Sequence, residues 1–90
     1  MPYISQDLRN QLPSLELLKK ELGELEEKMG ALNYILTELM QEELFPLKYR
    51  KINDLIGMLE CCKLELYRRV AHYEDQKIRE NGDVYRVSQP

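Results

Sequence analysis

Tryptophan is missing from these 90 residues, phenylalanine and histidine occur once each, and cysteine occurs twice. Each scarcity removes a class of function. The cysteines, Cys61 and Cys62, are neighbours in sequence, so they are poorly placed to bridge each other or to clamp one zinc ion tetrahedrally, and both are expected to be reduced. His72, alone of its kind, lies roughly 15 Å along the same helix, about three turns away, too far for a cysteine-histidine dyad within one chain. No P-loop, dinucleotide fingerprint or Ser-His-Asp order is present. No apolar run approaches the length of a membrane span, and Met1 to Pro13 lacks the basic start and apolar stretch of a secretory signal, so a cytoplasmic location is expected. A basic surplus, which nucleic acid would favour, is absent too: the net charge is −3.

What is present is helical. Only four glycines and four prolines interrupt a chain that is 43% hydrophobic and 32% charged, a composition that leans toward coiled coils and bundles rather than disorder. Leu15, Leu18, Leu22, Leu25, Met29, Leu32, Leu36 and Leu39 alternate in steps of three and four, the a/d stripe of four heptads. Ser5 is suited to cap a short turn through Asp7 and Asn10, within a lead-in over residues 1–13. Pro13 and Ser14 mark the start of a helix that runs to about Leu44, since Gly23 and Gly30 cost only about 1 kcal/mol each relative to alanine. At 1.5 Å per residue that is a rod of roughly 46 Å. Phe45, Pro46 and Leu47 form a loop, and a second helix follows over 48–81. Its stripe is Tyr49, Ile52, Ile56, Leu59, Leu66, Val70 and Tyr73, with Lys63 continuing the same row. Asn81 and Gly82 stop it, Gly82 being free to take the left-handed conformation. A tail over 82–90 carries Val84 and Tyr85 as apolar anchors.

The expected fold is therefore all-α: a single domain made of an antiparallel hairpin of two long helices. Charge supports the pairing, because residues 1–45 hold four Lys/Arg against nine Asp/Glu and residues 46–90 hold nine against seven. Leu17, Ile35, Met40, Leu55 and Leu64 lie outside the a/d rows, so each helix has more apolar surface than one seam covers. Homodimerisation into a four-helix bundle would bury it, with a tetramer as the next alternative.

Folding the hairpin about residue 46 brings Asn33, Glu60, Lys63 and Tyr67 to one level. Such a band could bind a polar ligand or do acid-base chemistry. A polar residue in a core row with bonded neighbours also fixes register and oligomer state, and that reading is favoured. Glu24 and Glu27 form E-x-x-E, and Glu80 and Asp83 form E-x-x-D. These resemble the magnesium-holding motifs of all-α nucleotide pyrophosphohydrolases of the MazG type, in which carboxylates hold a hard cation against substrate phosphates. In that family the second motif follows within one hairpin; here it lies over fifty residues on, and Glu24 and Glu27 take outward positions, so a solvated face is the better account. Lys48, Arg50 and Lys51, and again Arg68 and Arg69, could meet phosphates. Local pairing of the first group with Glu42 and Glu43 explains it more simply.

The second helix also carries a recurrent pattern: Asn53, Ile56, Gly57, Leu59, Glu60, Lys63, Glu65, Tyr67, Arg68, Arg69, Tyr73, Glu74, Lys77, and the closing Glu80-Asn81-Gly82-Asp83-Val84-Tyr85. With the opening Met1-Pro2-Tyr3-Ile4 and a Leu32-Asn33-Tyr34 element followed by Thr37, it resembles a small uncharacterised all-helical family of bacterial and phage proteins, over nearly the whole chain. The resemblance implies no activity. The leading expectation is a homo-oligomeric helical protein-interaction module, non-enzymatic and without cofactor or metal. Its partner is another copy of itself, a further protein partner being unspecified, with neither nucleic acid nor membrane. The rivals are a MazG-like pyrophosphohydrolase and a nucleic-acid-binding helical protein.

Overall fold

The computed structural model describes residues 2–86. Within them lie four helices and no strand: α1 (Gln6–Arg9), α2 (Ser14–Gly23), α3 (Lys28–Leu44) and α4 (Tyr49–Asn81). As its position suggests, Ser5 caps α1, its hydroxyl accepting from the Leu8 amide at 3.2 Å. Ser14 opens α2, as the start signal at Pro13 and Ser14 implies. Pro13 holds the cap position, with no side-chain bond.

The expected single helix over 14–44 is instead two. Gly23 ends α2, and Glu27 starts α3 by accepting the Gly30 amide through its Oε1 at 2.7 Å. A glycine interior to a helix costs about 1 kcal/mol and a side-chain cap gains about as much, so the two effects together favour a break where either alone would not. Gly30 also leaves room for the close approach of this cap. A Cβ there would stand 3.1 Å from Glu27 Cγ, tighter than ordinary carbon contacts of about 3.5 Å or more.

The turn at 24–27 changes how the arms meet. Leu18, Leu22 and Leu25 of the first arm face Ala31, Tyr34 and Ile35 of α3 across a shallow groove. On another side of α3, Thr37, Met40, Gln41 and Leu44 meet Ile52, Leu55, Ile56 and Leu59 of α4 around an apolar groove of about 430 Å³ beside the loop. Lys51 Nζ steadies that corner by donating to the Phe45 carbonyl at 3.1 Å rather than reaching Glu42 or Glu43. The two long arms expected to match in length do not: 17 residues of α3 span about 25 Å and 33 of α4 about 50 Å.

α4 ends as expected at Asn81, and Gly82 follows with φ 91° and ψ 151°. That is not the left-handed helical region but the neighbouring positive-φ region that is essentially confined to glycine. The Gly82 amide donates to the Ile78 carbonyl at 2.8 Å. The tail turns back beside the last turns of α4, where Val84 and Tyr85 share a shallow groove with Tyr67, Glu74 and Ile78. Positions 87–90 of the expected tail, and Met1 of the lead-in, lie outside the described residues.

No described residue is buried. The radius of gyration is 18.1 Å, against about 12 Å for a compact domain of 90 residues. The half-covered apolar side chains, among them Leu18, Leu22, Ile35, Met40, Leu44, Leu55 and Leu59, lie along the two helix corners rather than around a common centre.

Candidate functional site

The four polar residues expected at one level are brought together only in part. Glu60 and Lys63 form an ion pair at 2.9 Å between Oε1 and Nζ, one turn apart on α4 and open to solvent. Tyr67, a turn further on, is exposed and belongs to the groove against the tail. Asn33 bonds within α3: its carbonyl accepts from Thr37 Oγ1 at 2.8 Å, and its side-chain oxygen lies 3.3 Å from the same hydroxyl. Among the described residues no hydrogen bond or ion pair joins Asn33 to Glu60, Lys63 or Tyr67.

The polar constellation that does assemble is one that spacing along the chain connects only in part. Pro2 and Tyr3 lie across the middle of α4, where Pro2 stands over Met58, Cys61 and Cys62. The Tyr3 hydroxyl donates to Glu65 Oε1 at 2.6 Å and accepts from Arg69 Nη2 at 2.9 Å. Arg69 Nε donates to the same Glu65 oxygen at 2.9 Å, its guanidinium lying 5.8 Å from the Tyr3 ring centre. Arg68 adds two donations to the Glu65 carboxylate. Helical spacing explains half of this, since Glu65 with Arg68 and Arg69 is an i, i+3, i+4 set on one face. The other half, Tyr3, arrives from 62 residues away.

Electrostatics follow from those donors. Arg68, then Tyr3, then Arg69 bond the Glu65 carboxylate and lower its pKa from 4.5 to about 2. The Tyr3 and Glu65 contacts raise that of Arg69. With its oxygens engaged by three side chains, this carboxylate serves as an anchor for the N-terminal segment. Arg68 and Arg69, candidates for phosphate in the sequence, each have a carboxylate partner here.

The other candidates have local partners. Glu27 is spent on the Gly30 amide, and Glu80 accepts from Gln76 at 3.0 Å and Lys77 at 3.3 Å. Asp83 Oδ1 accepts the Tyr85 amide at 2.9 Å. His72 Nδ1 lies 3.2 Å from the Arg69 carbonyl, and Cys61 and Cys62 are free thiols at the surface. No described helix is long and apolar enough to cross a membrane.

The most extensive surface feature is apolar. Met29 is 71% exposed, Leu36 42% and Leu39 60% on α3, and Leu66 is 65% and Tyr73 57% exposed on α4. At 100° per residue, the Met29, Leu32, Leu36 and Leu39 stripe lies roughly a third of a turn from the α3 side that meets α4, and about as far from the side that meets α2. The a/d stripe, expected to seal the hairpin, does not do so. Instead α3 packs by its flanks, because the turn at 24–27 and the loop at 45–48 place α2 and α4 on either side of it.

No curated protein and no solved structure matches this chain. Residues 1–84 match the model of the domain of unknown function DUF6899, and the chain belongs to that uncharacterised family.

Proposed function

We propose that the protein is a homo-oligomeric helical association module, a dimer built as a four-helix bundle. One observation carries the reading: the chain has abundant leucine, isoleucine and methionine, yet none of its described residues is buried. A compact protein of 10.7 kDa exposes about 5,500 Å², whereas this chain exposes 8,699 Å². The difference, about 3,200 Å² per chain or roughly 6,400 Å² over two, lies at the upper end of what permanent complexes cover, their interfaces totalling about 2,000–5,000 Å² or more. Folding and association are then coupled, since a chain without a core gains most of its hydrophobic stabilisation on assembly.

Sedimentation equilibrium and light scattering on a sizing column test this directly. A dimer, or a tetramer, whose thermal midpoint rises with protein concentration is expected. A fully helical monomer with a concentration-independent midpoint overturns it.

A further inference from the structure

Which surfaces meet is not implied by self-association alone, and the two unpartnered apolar rows supply an answer. α3 covers α4 only beside the loop, as far as Leu59. Beyond it the same face of α4 continues through Leu66, Val70 and Tyr73, exposed and clear of α3. The apolar row from Leu66 to Tyr73 is about 10 Å long, extended to about 16 Å by Lys77, which is paired with Glu80, and the row from Met29 to Leu39 is about 15 Å. Their charges differ in the useful sense. α3 carries one lysine against three glutamates, while the Leu66–Lys77 stretch carries three basic against two acidic side chains. Pairing α3 with its own copy would set acidic helices side by side; pairing it with α4 does not.

Resting on the self-association just described, we infer that the Leu66–Lys77 stretch of α4 docks on the Met29–Leu39 stripe of α3 in a second copy of this chain, reciprocally. A two-fold arrangement makes the contact twice, so each chain gives one row and receives the other. The hairpin left open within one chain is closed between two, as in an exchange of arms.

Single-cysteine variants of the full-length chain decide the point. In a Cys61→Ser, Cys62→Ser background, Leu36→Cys and Val70→Cys are made separately, given tags of different mass, refolded together and oxidised mildly. A bond within one chain is then impossible. The expected result is a 36–70 mixed disulfide at least tenfold above either homodisulfide. Dominance of 36–36 or 70–70 pairs, or no cross-link in a protein that sediments as a dimer, overturns the docking while leaving self-association intact. A monomer at every concentration removes both. Leu32→Cys with Tyr73→Cys repeats the comparison one turn away, so if one variant fails to fold the second pair still separates reciprocal docking from like-with-like pairing.

Discussion

The Tyr3 hydroxyl donates to Glu65 Oε1 at 2.6 Å across 62 residues of chain. It accepts at the same time from Arg69, so one side chain near the N-terminus occupies both a carboxylate and a guanidinium in the middle of α4. The segment before α1 is thereby tied to the longest helix by a polar contact, beside the apolar one that Pro2 makes with Met58, Cys61 and Cys62.

Removal of that hydroxyl tests the tie. In Tyr3→Phe the ring stays beside Arg69, but the donor to Glu65 and the acceptor for Arg69 are gone, while Arg68 and Arg69 still hold the carboxylate. Because the contacts are exposed, the effect is local. Amide hydrogen exchange at Ile4, whose N–H bonds the Pro2 carbonyl, is expected to speed up several-fold, with overall helicity by circular dichroism unchanged.

Acid acts on the same residue. The Glu65 carboxyl titrates at about 2 in the folded chain against 4.5 ordinarily, so between those values the unfolded chain binds more protons. Its contribution to stability is fully present above about pH 5, is lost as the pH falls, and is gone below about pH 2. Glu65→Gln is expected to flatten that part of the thermal-midpoint profile. The shift of Arg69 is upward from an already high value, leaving the range below pH 8 untouched.

The break between α2 and α3 rests on two small terms, and both are removable. Gly23→Ala has open space for its methyl group and favours helix by about 1 kcal/mol. Glu27→Ala deletes the cap on Gly30, worth about 1 kcal/mol. Together they are expected to make residues 24–27 helical, visible as helical backbone chemical shifts at Leu25 and Glu26. An unchanged turn would mean that the packing of Leu18 and Leu22 on Ile35 holds the corner instead.

Lys63 stands in the row that runs from Leu59 to Leu66, paired with Glu60. If that row is covered on association, Lys63→Leu is expected to tighten self-association at least tenfold and to broaden the distribution of oligomers, since a polar residue in a core row fixes register at a cost in stability. Velocity sedimentation across a dilution series reads both effects. No change in affinity would place Lys63 outside the interface.

Leu36 gives the converse. A fully buried leucine is worth about 1.5–3 kcal/mol, and a symmetric dimer loses two at once. Leu36→Ala is therefore expected to raise the dimer dissociation constant by about a hundredfold or more. A dissociation constant within about threefold of the parent would show that the stripe stays exposed in the oligomer.

Local chemistry is readable in the sequence wherever it depends on near neighbours. Ser5 caps Leu8, the proline-centred loop at 45–48 separates two helices, and α4 stops at Asn81 before a glycine, all as the residue types require. The turn at 24–27 is not readable in the same way, because the apolar stripe runs unbroken through Leu22, Leu25 and Met29, and periodicity outweighs a glycine penalty of about 1 kcal/mol unless the Glu27 cap is counted with it. The Asn33, Glu60, Lys63 and Tyr67 band depends on a straight first arm. With that arm bent, Asn33 keeps to its own helix and only the Glu60–Lys63 pair, set by spacing along α4, is formed.

The sequence alone determined that this chain is helical, where its long second helix begins and ends, and that its apolar residues fall in stripes, because capping, backbone preference and periodicity act over one or two turns. Tertiary structure alone decided which side of α3 meets α4 and which residue Tyr3 reaches. A helix with apolar residues on several sides offers more than one face of similar hydrophobic worth, and the choice falls to the directions in which the connecting turns send the neighbouring helices. Here the turns place them on the flanks, and the leucine stripe from Met29 to Leu39 is left facing outward.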